Sequence, residues 1–345
     1  MKALVAKLLV AVILLALLAC AALAYYSWSW LTAPISATPS SVAFELPGGS
    51  NITALARKLA QRGVITQPEI WTLYARYTGL AQDVKAGEYA LDTGLTPQQW
   101  LARLVAGDVI TYRVTIVEGS TVAEMLEVLG GHPKIHRVLP ELAVEDLNKY
   151  LDLPDSQHPE GWFFPDTYVF RKGATDLSIL KQAQRRMSAL LQREWDARAL
   201  DLPYKNSYEA LVMASIVEKE SGRGDERERI AGVFVRRLQK GMRLQTDPTV
   251  IYGMGESYDG DLRSRDLRHD TPYNTYVHKG LPPTPIALPG RAAIYAALHP
   301  AEGDALYFVA KGDGSHYFSS NLAEHRQAVE NFQIKKRAKN YRSAP

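Results

Sequence analysis

A long uncharged stretch near the N-terminus constrains this chain more than any other feature. It runs from Leu8 through Tyr26, close to the roughly 20 apolar residues that a helix needs to cross the hydrocarbon core of a bilayer. Aromatic residues that suit a membrane interface, among them Trp28 and Trp30, end the stretch. We therefore expect a membrane-spanning helix over residues 8–26, with residues 1–30 forming a cytoplasmic stub and the anchor.

The residues around this stretch indicate its orientation. Two lysines precede it, which favours an N-terminus inside the cell, so that everything after Trp30 faces outward. A cleaved signal peptide is one alternative, although its apolar region is usually shorter. Lipidation is another, because the sequence "LLAC" ending at Cys20 partly resembles a lipobox. The apolar stretch continues past this cysteine, so its length favours the uncleaved anchor, and the sequence leaves lipidation of Cys20 open.

Composition excludes several classes of function. A chain of 345 residues predicts two or three domains. The net charge is +3, and the basic residues are spread along the chain rather than clustered, which argues against a nucleic-acid partner. The single cysteine allows no intrachain disulfide, and the eight histidines form no HExxH motif. We expect neither a metal nor another cofactor.

The pattern after the anchor predicts an α+β fold in two parts. Residues 31–41 are rich in proline, serine and threonine and are expected to form a tether. Short strands and helices alternate over residues 42–112, which predicts a small α+β module. Residues 113–335 predict a larger α+β domain, and residues 336–345 a basic tail.

Three segments of the larger region carry specific predictions. The stretch from Pro159 to Phe170 is dense in aromatic residues and interrupted by prolines, so we expect an irregular loop that either lines a site or forms a corner of the core. Residues 243–255 and 271–290 are rich in Gly, Pro, Asn and Asp, which predicts loops of defined shape. Near the C-terminus, "ALYFVAKGDGSHYF" predicts a β-hairpin that turns at residues 312–314.

A buried helix that ends in carboxylates is the strongest chemical signal. Residues 210–217 are apolar with one serine, and they run directly into Glu218 and Glu220. Two residues apart on a helix, these acids point in different directions and are not expected to touch. Burial raises the pKa of a carboxylic acid, which is what a general acid needs. The alternative is a structural ion pair with one of three nearby arginines, Arg223, Arg227 or Arg229.

Long motifs that surround these acids resemble a known family. The quoted stretches are "ASIVEKESG", "GVFVRRLQKGMRLQTDPTVIYGMG", "TPYNTYVHKGLPP" and "HPAEGDALYFVAKGDGSHYFSSNLAEH", with "EGWFFPDTY" upstream. Together they closely resemble the endolytic murein transglycosylases, also called YceG-like proteins. The resemblance extends over essentially the whole chain, from the apolar segment to about Gln333.

The resemblance implies a location and a chemistry. It implies a single-pass protein of the bacterial inner membrane, anchored in the cytoplasmic membrane through residues 8–26, with a periplasmic LysM-like module over 42–112 and a YceG-like catalytic domain over 113–335. It implies cleavage of the β-1,4 bond between N-acetylmuramic acid and N-acetylglucosamine within peptidoglycan glycan strands, which leaves 1,6-anhydro-muramyl ends. It further implies a role as terminator of nascent glycan strand elongation, with peptidoglycan synthases as partners.

The resemblance also implies which residues form the site. Glu218 matches the catalytic glutamate and is expected to act first as acid and then as base. Glu220 and Asp166 are expected to support the site without touching the sugar. The matched loops imply a set of substrate-binding residues: Gln245, Thr246, Asp247, Tyr252, Tyr273, Asn274, Thr275 and Tyr276.

The sequence is also compatible with two other functions. A peptidoglycan-binding scaffold would use Glu218 only structurally. A hydrolase that activates water would need a second carboxylate, with Asp247 or Asp166 as the plausible suppliers.

Overall fold

The computed structural model describes residues 2–35, 43–92, 94–140, 144–151, 153, 157–220 and 222–335. The predicted basic tail at 336–345 and positions 36–41 of the predicted tether lie outside this part of the chain. The fold mixes helices with small two-stranded sheets, as predicted. It divides into two compact units: the first comprises residues Met1–Tyr112 and Val169–Lys172, and the second comprises Arg113–Tyr168 and Gly173–Pro345.

The smaller unit contains one long helix and a short α+β core. Its elements are α1 (Lys2–Thr32), β1 (Ala43–Leu46), α2 (Ile52–Gln61), α3 (Pro68–Tyr77), β2 (Gly87–Ala90) and α4 (Pro97–Ala106). Strands β1 and β2 are antiparallel, with Phe44 opposite Tyr89. The side chains of Trp71 and Trp100 are buried with them in one core.

Capping residues account for where the short helices begin. Asn51, which also begins the glycosylation sequon Asn51-Ile52-Thr53, accepts the backbone N–H of Thr53 at 2.7 Å and so caps α2. Thr96 and Gln99 form a reciprocal capping box at the start of α4, with Pro97 in the first turn.

Helix α1 continues into the smaller unit, which overturns part of the predicted tether. Among the described residues it alone is long and apolar enough to cross a membrane. Its last turn is packed: Leu31 is buried in the core of the unit, and Trp30 Nε1 donates to Thr66 Oγ1 at 2.9 Å. Ile35 then donates its backbone N–H to the carbonyl of Leu95 at 2.8 Å. Residues 31–35 are therefore folded, because their apolar side chains outweigh the tether-like composition.

The larger unit is built around one buried helix. Its elements are α5 (Val122–Gly130), α6 (Asp176–Asp196), α7 (Ser207–Glu220), α8 (Arg227–Gln239), α9 (Asp247–Met254), α10 (Arg291–Leu298), β5 (Tyr307–Ala310), β6 (His316–Ser319) and α11 (Leu322–Val329). Strands β3 (Thr111–Thr115) and β4 (Thr167–Arg171) pair with each other, and the division between the units cuts both strands. Every residue of α7 from Ala210 to Val217 is buried, and helices α6, α8, α9 and α10 pack around it.

Two predicted loops proved to contain regular elements. Thr167–Arg171 at the end of the aromatic stretch forms β4, whose inward side chains Tyr168 and Phe170 alternate with exposed ones. Asp247–Met254 forms α9 because its proline lies in the first turn, where a missing N–H costs nothing. The hairpin was predicted correctly, with Ala310 opposite His316 at its turn end.

Candidate active site

Glu218 lies in the last turn of α7 with both carboxylate oxygens occupied. Its side chain is only 6% exposed, and Oε1 accepts a hydrogen bond from Nη2 of Arg227 at 2.9 Å. Oε2 accepts the backbone N–H of Gly290 at 2.8 Å. The ion pair that the sequence offered as a structural alternative is therefore present. The buried helix brings the acid to this position, and α8 and the loop before α10 supply its two partners.

The environment of Glu218 favours the protonated acid on balance. Burial raises the pKa of Glu218 above its ordinary value, and the nearby charge of Glu118 raises it further. The Gly290 N–H, Arg227 and Lys219 act in the opposite direction and stabilise the carboxylate. Glu218 can therefore hold a proton closer to neutral pH than an exposed glutamate does, while its conjugate base has partners in place.

Two loops are joined beside Glu218. Gly119 donates its backbone N–H to the carbonyl of Leu288 at 2.9 Å, and Leu288 donates its own to the carbonyl of Ser120 at 2.8 Å. A side chain at Gly290 would collide with the carboxylate of Glu118. Glycine is therefore needed at position 290 for its N–H to approach Glu218 while Glu118 stays close.

Glu220 has different partners from Glu218, as the helix spacing predicted. Thr246 Oγ1 donates to Glu220 Oε2 at 3.0 Å. The backbone N–H of Thr246 donates to Thr275 Oγ1 at 3.1 Å, and the hydroxyls of Thr249 and Thr275 lie 2.8 Å apart. Burial raises the pKa of Glu220 to about 7. This threonine cluster connects α7 to the loop before α9.

Three other candidates lie around the same loop. Gln245 is exposed, has a positive φ of 53°, and donates its backbone N–H to the carbonyl of Thr275 at 3.2 Å. Asp247 is also exposed and accepts the hydroxyl of Tyr276 at 2.6 Å. Asn274 is fully buried, and its amide donates to three backbone carbonyls between residues 266 and 269. Asn274 therefore shapes the loop, whereas Gln245 and Asp247 are open to a ligand.

The two tyrosine candidates are joined in a separate cluster. The rings of Tyr252 and Tyr273 meet edge to face with centroids 5.0 Å apart. The hydroxyl of Tyr252 donates to Glu160 Oε2 at 3.1 Å, and that of Tyr273 lies 2.9 Å from Thr284 Oγ1. Each hydroxyl already has a protein partner, so these side chains are placed by neighbours from distant parts of the chain.

Asp166 belongs to a different environment from the other candidates. Its carboxylate pairs with Arg186 at 2.7 Å and accepts the backbone N–H of Thr167 at 2.7 Å. None of the hydrogen bonds seen among the described residues connects it to Glu218 or Glu220. The structure therefore gives Asp166 a role at the start of β4, and a supporting role beside Glu218 stays a prediction.

Known proteins resemble this chain over most of its length. A model of the YceG-like family matches residues 44–331. The chain belongs to the YceG-like family. It is 32% identical over 311 residues to the "Endolytic murein transglycosylase" of Bacillus subtilis, covering 85% of each chain. It is 28% identical over 331 residues to the "Endolytic murein transglycosylase" of Streptococcus pneumoniae, covering 86% of this chain and 59% of that protein. A crystal structure of a yceG-like protein from Listeria monocytogenes matches with a TM-score of 0.54 and 30% identity, over 84% of this chain and 99% of that one.

The sequence prediction missed two groups of this YceG-like site. Glu160 is only 2% exposed, accepts the backbone N–H of Val122 at 3.0 Å, and has its pKa raised to about 7 by burial. Gly290 supplies the N–H that reaches Glu218. Glu160 lies in the motif "EGWFFPDTY" and Gly290 in the predicted loop over residues 271–290, but a lone acid and a lone glycine carry no pattern that shows their partners.

The described residues of this YceG-like chain hold no group of three or more His, Cys, Asp or Glu side chains that could bind a metal ion. The contacts of Glu218 offer proton transfer by a carboxylic acid, assisted by an arginine and a backbone N–H.

Proposed function

We propose that this chain is an endolytic lytic transglycosylase of peptidoglycan. It cleaves the β-1,4 bond between N-acetylmuramic acid and N-acetylglucosamine within glycan strands and leaves 1,6-anhydro-muramyl ends. One observation carries the proposal: Glu218 is a largely buried acid with a raised pKa, held at the end of an apolar helix in a YceG-like chain. Its relatives named endolytic murein transglycosylases support the same activity.

In the first step Glu218 acts as general acid. The protonated carboxyl gives its proton to the glycosidic oxygen as the bond from that oxygen to C1 of the muramyl residue breaks. Positive charge then develops at C1, where the N-acetyl group of the same sugar is placed to stabilise it. The carboxylate that Glu218 becomes is stabilised by Arg227 and by the Gly290 N–H.

In the second step the same group acts as base. The C6 hydroxyl of the muramyl residue attacks C1, and its proton returns to Glu218. No water and no second carboxylate take part, so one acid is sufficient. This differs from hydrolysis, which requires a second group to activate water or to act as nucleophile.

Exposure separates the candidates for substrate binding into two groups. Gln245 and Asp247 are exposed and Tyr276 is half-buried, so we assign these three to contacts with sugar hydroxyls and amides. Thr246, Asn274 and Thr275 are buried, and we assign them to the shape of the loop. We assign Tyr252 and Tyr273, whose rings are in contact, to the same structural role.

The location follows from helix α1. We assign it to the inner membrane as a single-pass anchor, with the N-terminus in the cytoplasm and the catalytic unit in the periplasm. Its apolar length and the lysines at its start support this orientation. The smaller unit is assigned as a LysM-like module. The proposed role is to terminate nascent glycan strands beside peptidoglycan synthases.

The decisive experiment analyses the products released from purified peptidoglycan. Full-length protein in detergent is incubated with glycan strands, and the muropeptides are identified by mass spectrometry. Glu218→Gln is compared with wild type, and Glu256→Gln, at an exposed glutamate of the same unit, is the matched control. We expect 1,6-anhydro-muramyl ends from internal cuts with wild type and the control, and none with Glu218→Gln.

Other outcomes would contradict the proposal in distinct ways. Reducing ends in place of anhydro ends would identify a hydrolase. A folded wild type that binds strands and releases nothing would identify a binding scaffold. Full activity of Glu218→Gln would remove Glu218 from the chemistry.

A further inference from the structure

Helix α8 carries the arginine that contacts Glu218, yet its first turn has no side-chain cap. Arg227 is the first residue of the helix, and Glu226 occupies the capping position without bonding to the helix N–H groups. The first N–H groups of a helix have no partner within the helix, so an uncapped start tends to fray. A 3-10 turn over Gly224–Glu226 leads directly into α8, so the contacts of Glu226 bear on the position of Arg227.

A buried pair supplies such contacts. Both carboxylate oxygens of Glu226 accept the backbone N–H of His316, at 3.1 and 3.0 Å. Oε2 also lies 2.8 Å from Nδ1 of the His316 ring. The two side chains are 9% and 6% exposed. Three short contacts thus fasten the residue before Arg227 to the first residue of strand β6.

The hairpin of β5 and β6 is itself held along the length of α8. The guanidinium of Arg229 lies 4.0 Å from the ring centroid of Phe318, and the rings of Phe234 and Phe308 meet edge to face at 5.6 Å. Arg237 donates from Nε to the backbone carbonyl of Leu306 at 2.6 Å. The hairpin therefore packs against α8 at several positions, and the contacts of Glu226 with His316 connect it to the start of the helix.

Arg227 depends on that connection because, among the residues that the structure describes, its side chain makes one hydrogen bond, to Glu218. Its Nη2 contacts Glu218 at 2.9 Å. Its Nε is buried and finds no hydrogen-bond partner among the residues that the structure describes. A long side chain held mainly by one charged contact is aimed by its backbone, so a small displacement of residue 227 changes the distance to Glu218.

We propose that Glu226 and His316 form a positioning pair that holds Arg227 against Glu218. The inference rests on the proposed function, in which Glu218 is the acid and then the base. A buried carboxylate is costly unless its partners are well placed, and here its partners fix the approach of the helix whose first side chain reaches Glu218. His316 and Glu226 themselves act only through Arg227.

The pair has a predictable effect on the pH dependence of the reaction. Glu218 faces Arg227 from α8, Glu118 and the Gly290 N–H from the two neighbouring loops, and Lys219 from its own helix. Arg227 stabilises the carboxylate, so loss of its contact raises the pKa of Glu218. The general acid is active when protonated, and the alkaline limb of kcat/KM therefore moves to higher pH.

The test is a double-mutant cycle on the full-length protein in detergent. His316→Phe keeps an aromatic ring and its packing but removes Nδ1, and His316→Asn returns a nitrogen near the same position. Arg227→Met removes the charge. We expect Arg227→Met to raise the alkaline limb by about 1 pH unit, the lower end of the range for an opposite charge in contact. His316→Phe should give roughly half of that shift, and His316→Asn should restore the wild-type profile.

The cycle decides whether His316 acts through Arg227. If it does, the alkaline limb of kcat/KM lies at the same pH in the double variant Arg227→Met with His316→Phe as in Arg227→Met alone. Additive shifts, or a wild-type profile in His316→Phe, would overturn the proposal. Glu226→Gln, which is isosteric, is the second variant if His316→Phe does not fold, and the same two outcomes apply to it.

A readout independent of catalysis separates this inference from the proposed function. Water-soluble carbodiimide reacts with protonated carboxyl groups, and peptide mass spectrometry gives the pH midpoint of labelling at Glu218. The midpoint should move upward in the same variants even if the protein cleaves no glycan. An unchanged midpoint in an active enzyme would overturn the inference and leave the proposed function standing.

Discussion

Replacing Glu160 by glutamine should change how the stability of the larger unit depends on pH. Burial raises the pKa of Glu160 from 4.5 to about 7 in the folded chain. A carboxyl group whose pKa is raised by folding stabilises the folded state fully at pH values below 4.5, its pKa in the unfolded chain. This stabilisation is lost as the pH rises toward 7, its pKa in the folded chain. At about 1.4 kcal/mol per pH unit, the wild type should lose on the order of 3 kcal/mol over this window.

Glutamine matches the shape of Glu160 without the titration. Its amide oxygen can accept the N–H of Val122, and its amide nitrogen can donate to the Tyr252 hydroxyl, and both of these groups are partners of the carboxylate. The unfolding free energy of Glu160→Gln relative to wild type should therefore rise steadily between pH 4.5 and 7 and stay constant above it. Other titrating groups, Glu220 included, are present in both proteins and cancel in the difference.

Calorimetry of the full-length protein in detergent measures this difference as a thermal midpoint. A change of about 3 kcal/mol corresponds to roughly 6–12 °C for a unit of this size. Glu256→Gln is the matched control, because this glutamate is exposed, and it should show a difference that does not vary with pH. A difference for Glu160→Gln that is equally flat from pH 4.5 to 7.5 would refute the reasoning that burial governs this acid.

Three further changes test other parts of the structure. Glu118→Gln removes a charge that raises the pKa of Glu218, so the alkaline limb of kcat/KM should move to lower pH, and a shift to higher pH would contradict the electrostatic assignment. Leu31→Asp places a charge in the core of the smaller unit and should destabilise that unit by about 3 kcal/mol or more in calorimetry; an unchanged midpoint would show that α1 does not pack there. Thr246→Val removes the hydroxyl that donates to Glu220, so the unfolding free energy measured in urea should fall by about 2 kcal/mol at pH 8 and by less at pH 5, where the acid is protonated. Equal losses of unfolding free energy at both pH values would contradict the contact with an ionised Glu220.

Local patterns were enough to predict the elements that depend on neighbours in sequence. The helix around residues 210–217 follows from its apolar run. The capping role of Asn51 and the position of the hairpin turn both depend on residues that are close neighbours in sequence. The prediction of a loop over residues 243–255 was wrong for α9, because a proline in the first turn is compatible with a helix. This error concerns whether a segment forms an element at all, which composition alone determines poorly.

The partners of the site residues could not be predicted from the sequence for a different reason. Glu160 is bonded to Val122 and Tyr252, which are 38 and 92 positions away along the chain. Gly290 reaches Glu218 across 72 positions. No spacing rule connects residues so far apart, so the sequence could nominate Glu218 but could not show its partners, and it gave no signal for Glu160.

The partners are the reason why we propose Glu218, rather than Glu160 or Glu220, as the acid and base of the two-step reaction. Glu160 is bonded to a backbone N–H and a tyrosine hydroxyl, and Glu220 to a threonine hydroxyl. Of these three acids, only Glu218 has an arginine in direct contact among the residues described by the structure. A group that gives up a proton and later recovers it must be tolerated in both forms: burial favours the acid, and the fixed positive charge of Arg227 stabilises the carboxylate that forms between the two steps.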